Sequence, residues 1–151
     1  MQLDEFFVTG EPLIYGGMVS IVLVTSAIIF LLTYLKRWGW LWREWLSTVD
    51  HKKIGIMYIL SALAMLFRGG VDALMMRVQL AFPNMNFLNS QHYNEIFTTH
   101  GTVMIIFMAM PFLVGLMNII VPLQIGARDF AFPFVNAVSF WSFFFGAMLF
   151  N

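Results

Sequence analysis

The sequence predicts an all-α fold, a polytopic transmembrane helix bundle, and three observations predict it. Hydrophobic residues make up 60% of the 151 residues and charged residues only 11%. Soluble domains run near 45–50% apolar and about 25% charged, so this balance suits hydrocarbon rather than water. Apolar residues gather into four segments, about 14–35, 54–76, 95–121 and 130–151. Each is close to the roughly 20 residues a helix needs to cross a bilayer. The basic residues cluster as well: Lys36, Arg37, Arg43, Lys52 and Lys53 crowd the connection between the first two segments.

The first segment follows Asp4, Glu5 and Glu11 and precedes the basic cluster, so it reads as a reverse-oriented anchor and not a cleavable signal. The positive-inside rule places 36–53 in the cytoplasm and the N-terminus outside. The stretch 78–94 is then outside and the turn Gln124–Asp129 inside. Trp38, Trp40, Trp42 and Trp45 fit an interfacial aromatic belt. The fourth segment runs to Asn151 with no basic or turn residue to close it, so the chain, 1–151, is expected to be truncated there. Zero net charge with no sustained basic patch argues against a nucleic-acid partner. The absence of cysteine excludes disulfides, thiolate zinc sites and iron–sulfur clusters carried by this chain alone.

His100 is the strongest candidate site residue. It lies in Phe97-Thr98-Thr99-His100-Gly101-Thr102, at one end of the third apolar segment. An imidazole at membrane depth needs a hydrogen bond, a counter-charge or a metal. Thr99, Gly101 and Thr102 leave room beside the helix for a flat, bulky group, and a haem whose iron takes the imidazole meets both conditions. A histidine bonded to a neighbouring helix is the plainer alternative.

Three further groups stand out. Arg68 and Asp72 are four apart and can pair inside the second segment. Arg77, near its end, is expected at a depth similar to His100, where it can reach an acidic or carbonyl substituent of a cofactor or simply snorkel. His92 and Glu95, three apart, can form a proton-accepting pair of the kind quinol oxidation requires, or lie solvated in a loop. Asn118, 18 residues after His100, is expected on the same helix face about 27 Å away. Asp129 lies in the following turn, and Asn136, seven residues later, is expected on its face. A carboxylate at the membrane boundary with buried amides behind it suits the mouth of a water-filled proton path. Asp129 as a helix cap paired with Arg128 is the alternative.

Taken together, these residues resemble the opening part of subunit I of the haem–copper terminal oxidases, in the quinol-oxidising branch. Ser47-Thr48-Val49-Asp50-His51-Lys52-Lys53-Ile54-Gly55-Ile56-Met57-Tyr58 resembles the start of the family's first core helix. Phe97-Thr98-Thr99-His100-Gly101 is similar to the motif bearing an axial ligand of the low-spin haem. Val121-Pro122-Leu123-Gln124-Ile125-Gly126-Ala127-Arg128-Asp129-Phe130-Ala131-Phe132-Pro133 resembles the loop that opens the D-type proton channel.

The resemblance implies a proton-pumping quinol:oxygen oxidoreductase of a bacterial cell membrane. It implies that His100 binds the iron of a low-spin haem (b or a type), that Arg77 contacts a ring substituent, and that Arg68, Asp72, His92 and Glu95 hold the quinol. It further implies that Asp129, Asn118 and Asn136 belong to the proton channel. Glu95 stands where ubiquinol-oxidising members carry glutamine, which resembles menaquinol-oxidising enzymes. A high-spin haem and copper are implied for the complete subunit, with ligands from later helices, since only His51, His92 and His100 occur here. The partners implied are the rest of subunit I, subunits II, III and IV, membrane quinol and the bilayer; the fragment alone is expected to be inactive. Two rivals remain at this point: a redox-inactive proton-coupled transporter using Asp72, Glu95 and Asp129 as a carboxylate relay, and a purely structural membrane bundle.

Overall fold

The computed structural model describes residues 12–83 and 87–150; Asp4, Glu5, Glu11 and Asn151, used above to read the two chain ends, lie outside the described residues. All regular structure among the described residues is helical. The chain divides into two compact units, Met1–Ser47 and Thr48–Asn151.

In the first unit, α1 spans Pro12–Tyr34 and accounts for the first apolar segment. Two of its hydroxyls bond within the helix, as lipid would require: Ser26 donates to the Val22 carbonyl, and Thr33 to the Ile29 carbonyl at 2.7 Å. Lys36, at φ 50°, turns the chain, and the short α2 (Trp38–Leu41) runs on into a π-helical turn at Trp42–Leu46. The Trp38 indole donates to Thr33 Oγ1 at 3.1 Å, and the Arg37 guanidinium lies 6.0 Å from the Trp40 ring centroid.

The second unit begins with α3, His51–Gln79. It starts three residues before the predicted 54–76 segment because Asp50 caps it, its carboxylate accepting from the Lys52 N–H at 3.0 Å. The next helix runs from Ser90 to Ile125, 36 residues, as α4 (Ser90–Thr102), a π-helical stretch (Val103–Ala109) and α5 (Met110–Ile125). It exceeds the 95–121 prediction at both ends; at 1.5 Å per residue it is about 54 Å long, well over the roughly 30 Å of hydrocarbon. Pro111 supplies a cause for the wide π turns: it has no N–H for the Phe107 carbonyl, and its ring crowds that oxygen. Gly126, at φ 67°, ends α5, and the Ala127 N–H closes back on the Pro122 carbonyl at 2.9 Å. The last helix, α6, spans Pro133–Phe150, starting at a proline and not at Phe130.

Among the described residues, three helices are long and apolar enough to cross a membrane: His51–Gln79, Ser90–Ile125 and Pro133–Phe150, with a shorter apolar stretch at Thr25–Tyr34. Phe67, Ile105, Leu123 and Phe145 face outward, as side chains bathed in lipid would. Two glycines set the main contact. A β-carbon on Gly115 would lie 2.8 Å from the Gly55 carbonyl oxygen, and one on Gly55 2.9 Å from the Gly115 oxygen. Small residues let α3 and α5 meet backbone to backbone, the usual means of packing helices in lipid. Ile54, Tyr58 and Phe140 form the buried cluster where α6 joins them.

Candidate functional site

Polar side chains collect toward the two ends of α3. Nearer its Gln79 end, His100 donates through Nδ1 to the Gly69 carbonyl oxygen at 2.9 Å. A carbonyl can only accept, so Nδ1 carries the proton and Nε2 is left as the free nitrogen. No hydrogen bond to Nε2 forms among the described residues. The facing helix comes close here, since a β-carbon on Gly69 would lie 2.7 Å from Met104 Sδ, one turn beyond His100. Gly70 and Gly101, by contrast, face open space, with nothing within 4 Å of a β-carbon at either. A half-buried imidazole, held by its Nδ1 beside two open glycine faces, fits an axial iron ligand.

Arg68 Nη1 and Asp72 Oδ2 pair at 2.8 Å, with the carboxylate nearly buried. His92 Nδ1 lies 3.7 Å from Glu95 Oε2, and Gln91 Nε2 donates to Glu95 Oε1 at 3.4 Å. His92 Nδ1 is buried without a hydrogen bond. Among the described residues no hydrogen bond or ion pair joins the two pairs. The expected depth of Arg77 needs correction. His100 sits opposite Gly69, so Arg77 lies eight residues, about 12 Å, further along α3. It shares a face with Gly70, seven residues before it, at the helical repeat.

At the His51 end, Asp129 Oδ1 meets His51 Nδ1 at 3.1 Å and also accepts from the Phe130 N–H at 2.8 Å. Asp129 therefore does not cap α6, which begins four residues later, and among the described residues it forms no ion pair with Arg128. The helical spacing assumed between Asp129 and Asn136 also fails, because Asp129 lies in the turn ahead of Pro133. Asn118 and His100 do share the face toward α3: Asn118 Cβ lies 3.2 Å from a β-carbon built on Gly55. The points on α3 that they meet, Gly55 and Gly69, are fourteen residues, about 21 Å, apart.

Three contributors escaped the sequence reading as site residues. His51 had been read only as part of a motif, yet it is 2% exposed with Nε2 buried and unpartnered. Tyr58 and Ser139 bond hydroxyl to hydroxyl at 3.0 Å, and Ser139 donates to the Asn136 carbonyl at 2.7 Å. The signal was present: 51, 55, 58 and 62 fall at i, i+4, i+7 and i+11, and all four are buried. Asn118 Nδ2 and Asn136 Nδ2 are buried without partners as well. Pro122, lacking an N–H, leaves the Asn118 carbonyl without its helical donor. Unmet polar atoms in this number, at one end of a helix bundle, mark places for ordered water. Among the described residues, no group of three or more His, Cys, Asp or Glu side chains gathers to hold a metal.

Membrane-length helices with polar groups nested at two levels between them define a polytopic α-helical membrane protein. Residues 53–151 match the family described as Cytochrome C and Quinol oxidase polypeptide I, and the chain belongs to that family. It is 75% identical over 148 residues to Quinol oxidase subunit 1 of Bacillus subtilis (strain 168), covering 98% of this chain and 23% of that protein. Probable quinol oxidase subunit 1 of Staphylococcus aureus (strain USA300) is 55% identical, and that of Staphylococcus epidermidis (strain ATCC 12228 / FDA PCI 1200) 53%. Each of these covers 98% of this chain and 22% of the relative, so the chain spans less than a quarter of the length of the curated proteins it matches.

Proposed function

We propose that this chain is the opening part of subunit I of a proton-pumping quinol oxidase, with menaquinol as the quinol. The single observation that carries the reading is the His100 ring, pinned through Nδ1 to the Gly69 carbonyl so that Nε2 is the nitrogen left for a metal. A hydrogen bond of this kind, on the ring nitrogen away from the metal, is what fixes the tautomer of metal-binding histidines. A low-spin haem bound there supplies one-electron acceptance at its iron. Arg77, two turns along the same face from Gly70, is the residue this reading assigns to a ring substituent.

Oxidising a quinol releases two electrons and two protons, so acceptors must stand at its hydroxyls. Arg68 ties down Oδ2 of Asp72, leaving the other carboxylate oxygen to accept a hydrogen bond. His92 Nδ1, buried and unbonded, with Glu95 beside it, offers a second acceptor. At the opposite end of α3, Asp129 takes up protons, and Asn118, Asn136, Tyr58 and Ser139 hold water behind it without trapping charge. With the basic 36–53 connection in the cytoplasm and the N-terminus outside, quinol protons leave outward while Asp129 draws from within. That separation is electrogenic, each charge moved being worth about 2.3 kcal/mol per 100 mV. On this reading the copper and the high-spin haem take their ligands from later helices of the subunit. They, the other oxidase subunits and the rest of subunit I complete a site in the bacterial cell membrane to which this chain contributes one iron ligand.

His100→Ala in the complete subunit tests the reading. The expected outcome is loss of the low-spin haem signal in a reduced-minus-oxidised spectrum, with membrane insertion unchanged. Retention of that signal refutes the assignment, and a haem-free wild-type subunit favours the transporter.

A further inference from the structure

The contact between His51 and Asp129 joins residues 78 apart in sequence and lies outside every role given above to either end of α3. It rests on the reading of Asp129 as the proton intake and adds to it. The imidazole is 2% exposed, whereas the Asp129 side chain is 37% exposed, so a buried donor grips a carboxylate that water can reach. Both hydrogen bonds to Asp129 fall on one oxygen: His51 Nδ1 at 3.1 Å and the Phe130 N–H at 2.8 Å both meet Oδ1. No hydrogen bond to Oδ2 forms among the described residues. Asp50 does not compete for the ring. Its Oδ1 is 3.8 Å from Nδ1, beyond hydrogen-bond range, and accepts from the Lys52 N–H instead. The Phe130 ring lies against the imidazole edge to face, with centroids 6.1 Å apart. Because α3 begins at His51 itself, the Asp50 cap sets the direction in which the imidazole leaves the helix.

We infer that His51 is a positioning residue for the intake carboxylate: its Nδ1–H, with the Phe130 N–H, immobilises Oδ1 and reserves Oδ2 for proton exchange. A carboxylate free to rotate about its Cβ–Cγ bond presents either oxygen to water and holds neither in line with the path behind it. Fixing one oxygen with two donors removes that freedom before any proton arrives. The tautomer follows, since Nδ1 must carry the proton to donate. The requirement is for a donor at the Nδ1 position and not for a titrating imidazole.

That requirement separates the variants. In Asn the amide nitrogen stands where Nδ1 stands, so His51→Asn keeps the donor. In Gln it reaches further out, toward the Nε2 position, and His51→Leu removes donors altogether. Each is made in the full subunit within the assembled oxidase and reconstituted in vesicles. Turnover and protons pumped per electron are then measured beside Asp129→Asn. The expected result is a turnover about tenfold lower in His51→Leu and His51→Gln, the scale of a lost hydrogen bond to a charged group, with recovery to within about threefold in His51→Asn. Equal impairment in all three overturns the inference, because the imidazole would then act as a proton carrier or a mere staple. Wild-type behaviour in His51→Leu overturns it too. Should His51→Leu fail to assemble, the Asn and Gln variants decide it, and equal turnover in that pair overturns the inference. Unaltered pumping in Asp129→Asn removes the intake reading itself, an outcome distinct from any shown by the His51 series.

Discussion

Gly115→Ala strikes the closest backbone approach in the second unit. The added β-carbon would lie 2.8 Å from the Gly55 carbonyl oxygen, 2.8 Å from Ile59 Cγ1 and 3.0 Å from Tyr58 Cβ. A side-chain tip can swing aside, but a helix carbonyl and a Cβ cannot. Ordinary contact begins near 3.4 Å, so α3 and α5 must part by about half an ångström along their shared face. Overpacking of this kind typically costs 1–3 kcal/mol, against which alanine recovers at most about 1 kcal/mol of helix propensity. A net loss of about 1–2 kcal/mol is expected. Gly146→Ala in α6 is the matched control, since nothing lies within 4 Å of a β-carbon there. The assay is the thermal inactivation time of the assembled, detergent-solubilised oxidase, because large membrane complexes unfold irreversibly and a rate is the meaningful quantity. Gly115→Ala should shorten it by up to about tenfold, while Gly146→Ala leaves it unchanged or longer. The double variant Gly55→Ala/Gly115→Ala should lose less than the two singles together, because one parting of the helices accommodates both methyls. Equal lifetimes for Gly115→Ala and Gly146→Ala would refute the glycine contact.

Two other outcomes are expected. Arg68→Gln removes the charge that holds Asp72 Oδ2 at 2.8 Å, so the KM for quinol should rise about tenfold with a smaller change in kcat; an unaltered KM places quinol elsewhere. Asp129→Asn should slow turnover and abolish pumping, since an amide cannot collect a proton, and an unchanged proton-to-electron ratio in vesicles would leave Asp129 a structural ligand of His51 alone.

The helices were legible in the sequence because twenty-residue apolar runs have one solution in lipid, and every apolar segment became a helix. Their ends were less so. Asp50 and Gly126 set boundaries through cap geometry that hydropathy does not register, and Gln91–Glu95 continue α4 beyond its apolar part. The face shared by His100 and Asn118 was read correctly from spacing, although a π-helical stretch intervenes. Arg77 was misjudged in depth because loop length does not fix how far one helix slides along another. His51, Tyr58 and Ser139 went unread as a group for a different reason. Each is unremarked alone, and only the packing of α3 with α6 and with the turn before α6 brings their partners within bonding distance.

The glycines explain why polar groups can occupy these depths at all. A polar side chain in lipid must find a partner on the neighbouring helix, and the nearest supply is that helix's own carbonyl oxygens, normally shielded by side chains. At Gly69 the shield is missing, and His100 reaches the carbonyl. At Gly55 and Gly115 the backbones close up, and Asn118, three residues beyond Gly115, is drawn into the buried contact. Pro122 then withholds the N–H that would have met the Asn118 carbonyl, and the Asn118 amide nitrogen is buried without a partner, a place for water. Restoring the Cβ at Gly115 should therefore disturb proton uptake as well as stability, whereas the same change at Gly146 should disturb neither. Normal pumping in a demonstrably destabilised Gly115→Ala oxidase would show that helix packing and hydration of the path are separable, and would count against Asn118 as part of that path.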